Sequence, residues 1–181
     1  MQQPVYARVE DGELHGTLND TRNNIKYRMM KEAIQGYYDN HLVPSANMPS
    51  IREINYSMGI FSEMGTRESA GALSNSLNQF IEDIEDRPEC NSYFAIFDEV
   101  DIEDEEHFQL LLWTQLQYVP GNTLEHISQN DHEMLMPGES DFCITLAGRP
   151  LHVICLHPQS NQKVRRFPWP VLIFRTIGKD S

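Results

Sequence analysis

His157 closes an apolar run, Leu151 to Leu156, and is followed at once by Pro158. Proline cannot donate to a sheet ladder, so a strand through this run stops there and delivers the imidazole to a strand-to-loop junction. Arg165 and Arg166 follow in the same loop. A neutral imidazole can ligate a metal or take a proton, and a guanidinium fork suits a carboxylate, so the three together read as a ligand site with an anion anchor. The bland alternative is a hydrogen-bonding loop histidine beside two salt-bridged arginines. His152 is the weaker candidate, because alternation along the strand puts it on the opposite face from His157 and away from the open end.

Other constellations carry less. His126 and Asp131-His132-Glu133 resemble a metal cluster only loosely, since they lack the HExxH pattern and a second carboxylate pair at helical spacing, and they read better as loop residues. The acidic block from Asp98 to Glu106 has no turn glycine and no alternating calcium ligands. Asp104, Glu105 and Glu106 instead fall where carboxylates favour the positive end of a helix dipole. The segment from Arg149 to Lys179 is basic, which allows either a local anion site or pairing with that acidic block. Cys90, Cys143 and Cys155 are odd in number and without CxxC spacing, so they read as small buried hydrophobes. No GxSxG, P-loop or GxGxxG occurs, leaving hydrolase, ATPase and dinucleotide readings without support.

Phe142, Gly148-Arg149, Val153, Leu156-His157-Pro158, Ser160 and Arg165-Arg166-Phe167-Pro168, with Pro170 and Phe174 following, resemble the pattern of the YqcI/YcgG family. Upstream, Glu106-x-Phe108 with Leu112-Trp113-x-x-Leu116-Gln117 is similar to the family's helix, and Met48-Pro49 more loosely to its Phe-Pro-Cys segment. The resemblance covers most of residues 48–174. Some members are heme-dependent N-hydroxylases acting on the guanidine of arginine or arginine-derived substrates. It therefore implies a heme-dependent monooxygenase that N-hydroxylates a small guanidine- or amine-bearing, arginine-like metabolite, with His157 as axial ligand and Arg165 and Arg166 anchoring heme propionates or a substrate carboxylate. The chain departs from the pattern at Gln162, Arg175, Pro120 and Ser50, where relatives carry Arg, Asn, His and Cys. Those departures motivate the alternative, a divergent non-catalytic member acting as a small-molecule or protein-binding module.

The elements that must position these residues follow from periodicity. Phe142, Ile144 and Leu146 alternate with smaller or more polar residues, Ala147-Gly148 supplies a turn, and residues 151–156 return, which predicts a hairpin. Residues 93–97 and 171–174 read as further strands, and 52–60 as an irregular one. Thr21 caps a helix with Ile25, Met29, Met30, Ala33 and Ile34 at helical spacing, an apolar face that Tyr37-Tyr38 can continue. Thr66 caps a second, with Ala70, Leu73, Leu77, Phe80, Ile81 and Ile84 inward. A third spans about residues 103–119 with Phe108, Leu111, Leu112 and Leu116 inward.

Composition sets the frame for this reading. The 181 residues fit one ordinary domain, with residues 1–20 as a loose N-terminal arm and 21–181 as a single α+β domain of helices packed on a mainly antiparallel sheet. A net charge of −13 disfavours a sequence-independent nucleic-acid binder, which needs basic surface. No stretch reaches the ~20 apolar residues of a membrane span, and the first residues lack a secretory pattern, so the expected location is cytoplasmic.

Overall fold

The computed structural model describes residues 6–15, 21–41, 55–88, 90–119, 123–125, 142–146 and 148–176. Its elements in chain order are β1 (Ala7–Glu10), β2 (Glu13–His15), α1 (Thr21–His41), β3 (Tyr56–Phe61), α2 (Arg67–Asp86), β4 (Ser92–Phe97) and α3 (Glu105–Gln117). There follow β5 (Thr123–Glu125), β6 (Phe142–Leu146), β7 (Arg149–Leu156), a 3-10 turn at Lys163–Arg165 and β8 (Val171–Thr176). The strands form one sheet in the order β2-β1-β3-β4-β8-β7-β6-β5. Among the described strands only β3 and β4 run parallel, joined by α2 as the crossover that a parallel pair requires. All other neighbours are antiparallel, so the class is α+β, as the sequence patterning leads one to expect.

Strict alternation divides the sheet into two apolar faces. Tyr93, Ala95 and Phe97 of β4, Leu151, Val153 and Cys155 of β7, and Leu172 and Phe174 of β8 face α2 and α3, meeting Leu73, Leu77, Phe80, Phe108 and Leu112. The intervening Phe94, Ile96, Ile154, Leu156, Val171 and Ile173 face α1 and meet Tyr27, Met30, Ile34 and Tyr37. Full burial of each such side chain is worth about 1.5–3 kcal/mol, which is why the central strands read as continuous apolar runs.

The structure departs from three sequence expectations. Residues 7–15, expected within a loose arm, form a hairpin whose β1 pairs with β3. Its turn residues Asp11 and Gly12 both have positive φ, the Asp-Gly geometry that matches strand twist, and Ala7 and Val9 point into the core. In α1 the buried stripe is Tyr27, Met30, Ile34 and Tyr37, while Ile25 and Met29 are exposed. The tyrosines win because their hydroxyls find partners: Tyr27 Oη accepts from the Ile60 amide at 3.3 Å, and Tyr37 Oη donates to the Val164 carbonyl. The strand expected to be irregular over residues 52–60 is the regular β3; residues 52–54 lie outside the described residues.

Candidate functional site

The 142–156 hairpin forms as expected, with Phe142 opposite Val153 and Ile144 opposite Leu151. Gly148 takes the left-handed φ of 76° that its turn requires. β7 ends at Leu156, and His157 follows at the junction. The chain then turns back on it. His157 N donates to Arg165 O at 3.1 Å, and Phe167 N donates to His157 O at 3.3 Å. Ser160, also buried, accepts from Gln162 N through Oγ and from Arg166 Nε through its carbonyl. Tyr37 of α1 holds the same loop at Val164. The loop thus closes around the histidine instead of leaving it open.

Both nitrogens of the ring are engaged. The Gln159 amide can only donate, so Nδ1, 3.2 Å away, is an acceptor and the neutral ring carries its proton on Nε2. Nε2 lies 2.7 Å from Glu105 Oε2, in the first turn of α3. Asp104 caps that helix by accepting from the His107 amide, which sets the helix start and places Glu105 at its first position. Phe108, one turn on, stacks on the imidazole with centroids 4.1 Å apart. Burial depresses the pKa of His157 and outweighs the opposing pull of Glu105, so the ring is held neutral.

The two arginines diverge. Arg165 is turned inward and is 3% exposed, whereas Arg166 is exposed and spends its Nε on the Ser160 carbonyl. They do not form one fork for a single carboxylate. The acidic block is used elsewhere too: Asp98 pairs with Lys26 of α1 at 2.9 Å. Among the described residues there is no group of three or more His, Cys, Asp or Glu that could hold a metal ion. His126 and His132 lie outside the described residues.

The strand, histidine, loop and Phe167 segment, together with the α3 helix that packs on it, coincide with a known family pattern: residues 46–177 match the YqcI/YcgG family. The chain belongs to the YqcI/YcgG family. No curated protein and no solved structure matches it. Heme is the cofactor implied by the YqcI/YcgG resemblance, and it can be tested against these residues. An axial ligand must turn an open nitrogen lone pair toward the iron. In His157 the Nδ1 lone pair is taken by the Gln159 amide, Nε2 carries the proton directed at Glu105, and one ring face is covered by Phe108. As arranged, His157, Arg165 and Arg166 do not fit a heme. No described helix is long and apolar enough to cross a membrane.

Sequence reasoning placed His157 correctly at the strand end but missed Glu105 as its partner. The pairing spans 52 residues, and no local pattern announces it. The acid at the first turn of α3 carried an adequate local explanation in the helix dipole.

Proposed function

We propose that this chain is a divergent, non-catalytic member of the YqcI/YcgG family, a small-molecule-binding module in which His157 serves the fold in place of a metal. The observation that supports this most directly is the closure of both imidazole nitrogens by Gln159 and Glu105. A polar side chain buried with both of its hydrogen-bonding atoms satisfied stabilises the fold, and freeing either atom for iron would leave a buried donor or acceptor unmatched. The substitutions at Pro120, Gln162, Arg175 and Ser50 point the same way. The excess of 27 acidic over 14 basic residues suits a cationic ligand, such as a guanidine- or amine-bearing metabolite.

The competing reading is the heme-dependent N-hydroxylase that acts on such a metabolite. The test is to purify the protein from cells supplied with iron and a heme precursor, record its absorption spectrum, and titrate it with hemin. A colourless protein without saturable hemin uptake is expected, and arginine or a simple guanidine should raise its Tm. A Soret band that disappears in His157→Ala would overturn the proposal and restore the oxygenase reading.

A further inference from the structure

On the α1 face of the sheet, away from His157, three reactive or charged side chains sit on consecutive strands. Cys143 of β6 is opposite His152 of β7, and His152 is opposite Arg175 of β8. The face follows from alternation: Ile144 and Val153 belong to the core under α2 and α3, while Ile154 and Ile173 belong to the core under α1, the side that Cys143, His152 and Arg175 share. The Cys143 sulfur lies 3.5 Å from His152 Nδ1. All three residues are partly exposed, unlike Cys90 and Cys155, which are 1% and 8% exposed.

A reactive thiol needs both access and a way to lose its proton. Burial, and then the Arg175 charge, lower the pKa of His152, so near neutral pH the imidazole is neutral, and its tautomer with the proton on Nε2 presents Nδ1 to the thiol as an acceptor. Arg175 is itself fixed, its Nε donating to Ser92 Oγ at 3.2 Å. On the other side, Glu125 of β5 holds the register position opposite Cys143.

We propose that Cys143 is a thiol-exchange site that uses His152 as its base and takes a mixed disulfide from a small-molecule disulfide. The thiol proton moves from Cys143 Sγ to His152 Nδ1, and the thiolate attacks one sulfur of the incoming disulfide. A new S–S bond forms to Cys143 as the incoming S–S bond breaks, and the proton on His152 passes to the departing thiolate or, where that thiolate is a weak base, to water. The disulfide is the only oxidant. The step is a modification of the protein and does not depend on whether heme binds.

The test uses an aromatic disulfide that releases a coloured thiolate, with peptide mass spectrometry to locate the adduct and circular dichroism to confirm the fold of each variant. Cys143 should be modified first, and Cys143→Ser should abolish the fast phase with Cys90 and Cys155 still present. His152→Gln should slow that phase about tenfold, less than the ~100-fold or more typical of a general base in an enzyme site. Arg175→Gln relieves the charge on His152 and should move the low-pH break of the rate profile upward. Modification of Cys90 or Cys155 as fast as Cys143 would overturn the proposal, as would an unchanged rate in folded His152→Gln. Should His152→Gln fail to fold, the profile of the unaltered chain decides: a break at the ordinary thiol value of about 8.5 overturns the proposal, and one in the histidine range supports it.

Discussion

His157 Nε2 and Glu105 Oε2 meet at 2.7 Å across 52 residues of sequence, so the end of β7 and the first turn of α3 are fastened as one unit. Removing the imidazole strands the Gln159 amide and leaves Phe108 without its stacked partner. His157→Ala is expected to cost about 2–3 kcal/mol, the range for a buried group with two hydrogen bonds. Glu105→Gln, which still offers an acceptor oxygen, should cost about 1 kcal/mol. Urea unfolding of the two variants measures both, and equal stability of His157→Ala and the unaltered chain would refute the structural role.

Acid should weaken the fold through the same residue. The proton affinity of His157 is lower in the folded chain than in the unfolded one, so around and below the ordinary value of 6.5 the unfolded state binds more protons. Its contribution is complete above 6.5 and is lost as pH falls through the depressed folded value. His152, lowered by burial and by Arg175, acts with the same sign. The urea midpoint should therefore drop as pH falls below the ordinary histidine value of about 6.5, with a smaller drop in His157→Gln.

Gly59 on β3 leaves room for the ring of Tyr93 on β4, and a Cβ at residue 59 would collide with the Tyr93 hydroxyl. Tyr93 is fully buried under α2, where Phe80 and Phe174 also hold its ring, so it cannot swing away. Gly59→Ala should destabilise by about 1–3 kcal/mol. In the double variant Gly59→Ala with Tyr93→Phe the loss should be smaller than the sum of the two single losses. Strict additivity in thermal unfolding would show that the contact carries no strain.

Thr66 and Ser69 form a reciprocal cap at the start of α2, and Ser69 Oγ also donates to Gln115 Oε1 at 2.7 Å, which ties the cap to α3. Thr66→Ala should cost about 1 kcal/mol. Thr66→Ser keeps the hydroxyl and should cost less than half of that, a difference visible in the urea midpoint.

Elements governed by near neighbours were legible in the sequence. The 142–156 hairpin, the α2 cap at Thr66 and the apolar face from Ala70 to Ile84 all follow from period and turn chemistry. The hairpin of residues 7–15 was hidden because its strands are short, although its Asp-Gly turn was present to be read. In α1 the sequence pattern put Ile25 and Met29 on the apolar face, and hydrogen-bond partners on β3 and in the 157–167 loop select instead the stripe that holds Tyr27 and Tyr37. At the candidate site the position of His157 was legible, but its partners were not. Whether a strand-end histidine is open or closed depends on Glu105, Phe108 and the fold of the loop behind it, all of which are tertiary facts.

The place of β8 in the sheet has a consequence for synthesis. It lies between β4 and β7 and joins β2-β1-β3-β4 to β7-β6-β5, yet among the described residues the other strands all precede it in the chain. Until residues 171–176 leave the ribosome, β4 and β7 each present an open row of amide and carbonyl groups on an apolar strand. The nascent protein is then two half-sheets with sticky edges. Closure awaits contacts far apart in sequence, such as Phe94 with Ile173, which favours slow folding and gives chaperones an interval in which to act.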